Sequence, residues 1–149
     1  MSTFPPSHEF RIFTLEEANA LVPDLSQAFT RIFQLRISAQ LLYEKLKDRL
    51  DEDRPKNPKD LKDPEFSRDY GKFRAILEAI QEELDRIASM GVLLKSLENG
   101  IVDFYSISGG KPIFLCWSYG EEKIRYWHEI EAGFSGRRSV EELFQGEKP

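Results

Sequence analysis

"IVDFYSISGGKPIFLCWS", residues 101–118, decides the fold of this 149-residue chain, because hydrophobic spacing changes there from a helical period to alternation. Two β-like runs flank Gly109-Gly110, a pair suited to a two-residue hairpin turn, which sets Asp103 opposite Cys116 and Phe104 opposite Leu115. A third run, "KIRYWHE", follows the turn residues "YGEE". A turn centred on Gly120-Glu121, or a four-residue version with the same pairing, sets Cys116 opposite Arg125 and Trp117 opposite Ile124. The expected core face then carries Val102, Phe104, Ile113, Leu115, Trp117, Ile124 and Tyr126, with His128 at its end. The other face carries Asp103, Tyr105, Phe114, Cys116, Arg125 and Trp127. An antiparallel meander is expected over residues 101–129, and "FRIF", residues 10–13, can add an edge strand.

Upstream the period is helical. In "FTLEEANALVPDL", Thr14 and Glu17 form a capping box, and Phe13 can staple onto the first turn. Apolar residues recur from Ala18, Val22 and Leu25 through Phe29, Ile32, Leu35, Ala39, Leu42 and Leu46 to Leu50. That stripe predicts a long helix over residues 15–50, kinked at Pro23, which removes a hydrogen bond to Asn19. The proline-bearing, charge-mixed "DEDRPKNPKDLKDP" has little to bury and reads as a mobile loop over residues 51–64. Asp63-Pro64-Glu65 opens a second helix over residues 65–98, with a stripe at Phe73, Leu77, Ile80, Leu84, Ile87, Gly91, Leu94 and Leu97, ended by Asn99-Gly100. A second capping-box pattern at Ser139 and Glu142 predicts a short helix over residues 139–144.

The expected fold is α+β in a single domain, residues 1–149: a long antiparallel helical hairpin, a small three- to four-stranded antiparallel sheet and a short C-terminal helix. Helices of this length, at about 1.5 Å per residue, have more apolar surface than two of them can cover. A homodimer through the long helices, with a four-helix core, is therefore expected.

Lys plus Arg number 21 against 26 for Asp plus Glu, a net charge of −5 that argues against nucleic-acid and anionic-membrane binding. The lone Cys116 excludes an internal disulfide or a multi-cysteine zinc cluster and suits a reducing cytoplasm. The first residues hold prolines and acids where a signal peptide needs a basic, then apolar, run, and the longest apolar stretch, "IFLCW", is far short of a membrane span. A cytoplasmic protein with no membrane association is expected.

"FTLEEANALVPDL" near the start and "GIVDF…LCW…YWHEIEAGFSGRR" near the end resemble an uncharacterised bacterial family, domain-of-unknown-function family number 2203. The two segments bracket almost the whole chain. The resemblance implies a stand-alone cytoplasmic protein of this size and brings no activity, cofactor or catalytic residue.

Three groups could carry chemistry. Gly133, Gly136, Arg137, Arg138 and Ser139 place glycines and an arginine pair before a helix start, where backbone N–H groups and guanidiniums can hold a small anion or an acidic peptide. The alternative is that the glycines only make a turn, while an arginine pairs with Glu129, Glu131 or a helix acid. Asp103, Cys116 and Arg125 form a cross-strand row in which the charges could activate a thiolate, or in which Cys116 is a small buried hydrophobe beside a structural Asp103–Arg125 pair. In this register no histidine shares their face. His128 could act as a general base or a metal ligand alongside Glu129 and Glu131, or sit satisfied at the core margin. Neither a metal nor a cofactor is expected, because adjacent strand residues point to opposite faces and the only other histidine is His8. The function expected is a non-catalytic homo-oligomeric interaction or ligand-binding module. The alternative is a small enzyme acting on an anionic substrate, with Arg137 and Arg138 binding it and His128 or Asp103 moving a proton.

Overall fold

The computed structural model describes residues 11–145. The class is α+β, as expected. Helix α1 (Leu15–Leu46) is followed by a 3-10 turn (Lys47–Arg49), short strands β1 (Leu50–Asp51) and β2 (Arg54–Pro55), a second 3-10 turn (Pro58–Lys62) and helix α2 (Pro64–Ser89). Strands β3 (Leu93–Ser96), β4 (Ile101–Ser108), β5 (Lys111–Ser118), β6 (Tyr126–Glu129) and β7 (Arg138–Ser139) precede the short helix α3 (Glu141–Gln145).

Contacts divide the chain into two compact units, Thr30–Leu84 and the remainder. The physical reason is that Thr30–Leu84 holds a small core of its own. Leu46, Leu50, Phe66 and Phe73 are buried together, with Ala39, Leu42, Tyr70 and Leu77 against them. Its α1 and α2 segments run antiparallel, tied by Arg31–Glu83 at 3.1 Å and Lys45–Asp69 at 2.8 Å.

The capping box at the start of α1 forms as read: Thr14 N–H donates to Glu17 Oε1 at 2.9 Å, and Glu17 N–H to Thr14 Oγ1 at 3.0 Å. Helix α1 continues through Pro23. It ends at Leu46 rather than at 50, because Leu50 pairs with Pro55 in the β1–β2 hairpin. The segment expected to be a mobile loop is folded. Arg49 bonds Asp60 at 2.9 Å and Asp63 at 3.2 Å and lies over the Phe66 ring. Tyr70 donates its hydroxyl proton to the Asp53 carbonyl at 3.0 Å. These partners lie well apart in the chain, so local charge patterning does not reveal them.

Asp63 caps α2 as expected, Oδ1 accepting from Glu65 N–H at 3.1 Å. The helix stops at Ser89 and not at 98. Gly91 adopts φ +83, a left-handed conformation that ends helices, and an added Cβ there would meet Arg11 Cδ at 2.8 Å. The residues beyond it become β3, paired with β4 through Leu93–Asp103 and Leu94–Val102. With β7 paired to β6, the sheet has five strands in the order β3-β4-β5-β6-β7, all antiparallel, rather than three or four. Residues 11–13 form no strand, and Phe10 lies outside the described residues. Phe13 N–H nevertheless donates to Tyr105 O at 2.7 Å, and Ser106 Oγ donates to Phe13 O at 2.6 Å.

Gly109 and Gly110, at φ +57 and +78, make the two-residue turn, and the β4–β5 register is the expected one. The β5–β6 register is not. Cys116 faces Tyr126, Leu115 faces Trp127 and Phe114 faces His128, one residue away from the expected pairing. Ile124 N–H is taken by Asn19 Oδ1 at 2.7 Å, and Ser118 N–H by Glu121 Oε1 at 2.8 Å, so neither amide is free for a tight hairpin. A one-residue slip exchanges the faces of every side chain in the strand. Trp127 therefore joins the side of Leu115, Phe104 and Trp117, while Tyr126 and His128 join the side of Asp103 and Cys116. On the core side, Phe13 meets Phe104 edge-on at 5.1 Å and Phe29 packs on Trp117 at 6.0 Å.

Glu52 and Asp53 make the β1–β2 turn at φ +51 and +65, which costs about 1–2 kcal/mol per L-residue relative to glycine. Asp53→Gly is expected to stabilise the protein by about 0.5–1 kcal/mol, since the greater freedom of glycine in the unfolded chain offsets part of the gain. The midpoint of urea unfolding measures it, and an unchanged or lowered midpoint contradicts the assignment of strain to that turn.

Candidate functional site

The register slip gathers three chemically distinct side chains from three neighbouring strands. Asp103 on β4, Cys116 on β5 and His128 on β6 share one sheet face and are 1%, 0% and 1% exposed. Their ligand-type atoms all lie within 4.8 Å of one another. His128 Nε2 is 3.0 Å from Asp103 Oδ2, and Nδ1 is 2.8 Å from the Glu129 carbonyl. A carbonyl only accepts, so Nδ1 carries a hydrogen and donates it, which directs Nε2 at the carboxylate. Asp103 Oδ1 is buried with no hydrogen-bond partner among the described residues. The Tyr105, Phe114 and His128 rings form a row beside the cluster, with centroids 4.7 and 5.4 Å apart.

Burial first, and then the adjacent Asp103 charge, push the Cys116 thiol up to about 12, although the Arg137 guanidinium opposes this. A thiol so held is protonated at neutral pH and is not the activated nucleophile that the acid–thiol–arginine row allowed. The expected Asp103–Arg125 pair does not form. Arg125 is exposed, its carbonyl accepts from Val140 N–H at 2.9 Å, and His128 takes the carboxylate instead.

The arginine pair is engaged within the fold. Arg137 reaches both Glu121 carboxylate oxygens, at 2.8 and 2.9 Å, donates to Cys116 O at 3.2 Å, and lies against the Tyr126 and Phe134 rings. Arg138 pairs with Glu142 and lies over Trp127. Ser139 Oγ accepts from Glu141 N–H at 3.2 Å, and α3 begins with two acids. Gly133 supplies a positive φ of 71 for the turn, and Gly136 has no room for a Cβ, which would meet Ala132 at 2.7 Å. Arg137, Arg138 and Ser139 of the expected anion cradle thus have partners within the fold. An anion would have to displace Glu121 from Arg137 and enter beside Glu141 and Glu142.

Two residues that organise this region, Asn19 and Glu121, carry no sequence signal for it. Asn19 acts 105 positions away from Ile124, and Glu121 acts 16 away from Arg137. Two cavities lie elsewhere in the sheet unit. One of about 350 Å³ lies at Phe13 and Ser106, and one of about 420 Å³ at Asn19 and Arg125.

An antiparallel five-stranded sheet with a buried Asp–Cys–His cluster, in a chain with two long helices, defines an α+β protein. The sequence model of a family described as "Uncharacterized conserved protein (DUF2203)" matches residues 11–140, and the chain belongs to that family. No curated protein and no solved structure matches the chain. No helix among the described residues is long and apolar enough to cross a membrane.

Glu121→Ala should cost about 2–4 kcal/mol, because it leaves a mostly buried guanidinium unpaired and frees the Ser118 amide. Denaturant unfolding reports the loss, and a change below 1 kcal/mol would remove Glu121 from its organising role. In the folded protein Cys116 should resist alkylation at pH 8 on a timescale that consumes the unfolded chain's thiol. Comparable rates would contradict its burial.

Proposed function

We propose that this protein is a non-catalytic cytoplasmic module that self-associates as a homodimer through the helical unit Thr30–Leu84. The observation that carries the reading is a gap in the core of that unit. Between Ile32 and Leu46 on α1, and between Phe73 and Leu84 on α2, no residue is buried. Apolar side chains nonetheless fill that gap. Ile37 and Leu41 are 64% and 66% exposed, one helical turn apart, and Phe33 precedes them on the same face, half-buried. Leu35, Ala39, Leu42, Ile76, Leu77 and Ile80 are likewise only half-buried. Helices in water draw most of their stability from a covered apolar face, and a second pair of helices supplies the cover in a four-helix arrangement.

The geometry weighs against the enzyme alternative. Its proton-transfer residues are buried, its arginines are paired, and its thiol is held protonated. Internal pairing of the same arginines weighs against an acidic-peptide or anion partner. A cytoplasmic setting agrees with a single buried cysteine, which needs no oxidising compartment.

Light scattering after gel filtration at micromolar concentration should give twice the 17.3 kDa chain mass. Ile37→Glu with Leu41→Glu should give a monomer that keeps the near-ultraviolet signal of buried Trp117. A wild-type monomer, or a double variant that remains dimeric, defeats the proposal.

A further inference from the structure

We infer that Asp103, Cys116 and His128 form a binding site for one divalent transition-metal ion of the zinc class. This site is independent of the self-association proposed above.

Three observations converge on it. A thiol, an imidazole and a carboxylate from three adjacent strands bring their donor atoms within 4.8 Å of one another. Around a tetrahedral ion with bonds of about 2.0–2.3 Å, donors stand roughly 3.3–3.8 Å apart, so the cluster needs adjustment only by side-chain rotation. His128 already makes the outer contact that metal-bound histidines make: Nδ1–H donates to the Glu129 carbonyl, which fixes the ring and presents Nε2 to the other two groups. Asp103 Oδ1 is buried with no hydrogen-bond partner among the described residues, a costly arrangement unless something else satisfies it. A carboxylate using both oxygens would bring the donor set to four.

Charge and softness choose the ion. One carboxylate and one thiolate balance one divalent cation, with the imidazole neutral, so the buried site sums to zero. Arg137, the cation that acts on Cys116, is already paired with Glu121. Sulfur and nitrogen donors select zinc-like ions over magnesium and calcium, which require oxygen ligands. On binding, the S–H bond of Cys116 and the hydrogen bond between Nε2 and Oδ2 are replaced by metal–sulfur, metal–nitrogen and metal–oxygen bonds. The thiol proton and the proton shared between His128 and Asp103 leave to solvent. No electron transfer is involved, and the net charge of the site is unchanged.

The expectation against a metal considered His128 with its strand neighbours and with His8, while the expected register kept every histidine off the face of Asp103 and Cys116. The observed register removes that objection.

Because the site is enclosed, the ion is best supplied while the chain folds. Protein expressed in medium supplemented with Co²⁺ should retain about one cobalt per chain after desalting. It should also show the near-ultraviolet thiolate-to-cobalt charge-transfer band. The chain has one cysteine, so that band can come only from Cys116, and the wild-type spectrum suffices even where a variant fails to fold. Among folded variants, Cys116→Ser should lose the band, and His128→Gln and Asp103→Asn should each weaken metal retention at least about tenfold. Zn²⁺-loaded wild type should unfold at a higher temperature than protein prepared with a chelator present. Folded wild-type protein without the band would overturn the site. Metal retained equally by Cys116→Ser, as surface carboxylates would retain it, would overturn it too.

Discussion

Glu121 holds the sheet unit in its register. Its carboxylate accepts from Ser118 N–H and from Arg137, and its carbonyl accepts from the Trp117 indole at 2.9 Å. One residue thereby closes the end of β5, orients the largest core side chain and anchors the segment leading into β7. Asn19 completes the constraint by taking Ile124 N–H. With both amides occupied, β6 begins at Tyr126, and its alternation follows from that starting point. Everything on the sheet face bearing Asp103 depends on this: the Cys116–Tyr126 pairing, the reach of His128 to Asp103, and the stacking of Arg137 on Tyr126.

The two compact units solve their burial problems differently. The sheet unit closes around Trp117, Phe29, Phe104 and Phe13, and burial on both faces of β4 and β5 leaves even a histidine and an aspartate inside. Buried ionisable groups are tolerated when paired, and the His128–Asp103 contact meets that condition for one carboxylate oxygen but not the other. The helical unit has its own small core at Leu46, Leu50, Phe66 and Phe73, where the folded 47–63 connection adds Arg49 over Phe66 and the Asp53 carbonyl as acceptor for Tyr70. Away from that end two helices have too little surface to bury each other.

Much of the fold was legible. Both long helices start where their caps are written, at Thr14 with Glu17 and at Asp63 with Pro64, because capping is settled by residues a few positions apart. The Gly109-Gly110 hairpin was legible for the same reason. The end of α2 was harder, because "LLKSLENG" fits a helical stripe and a strand equally well. Gly91 is the deciding residue, and its left-handed conformation is a tertiary result supported by the close approach of Arg11. In the candidate site, all three cluster residues stood out individually, yet their association did not. A single-residue error in register separated His128 from the other two.

The sequence by itself determined the α+β class, the helix starts, the β4–β5 pairing and the apolar excess of the helices, since each rests on short-range spacing. Only the tertiary structure decided the β5–β6 register, the fifth strand and the partners of Arg137, Arg138 and His128. Those depend on hydrogen-bond partners such as Asn19, Glu121 and Asp103, which lie far from the groups they satisfy. A period-two pattern specifies alternation without specifying phase, and the phase was set by which backbone amides were already taken.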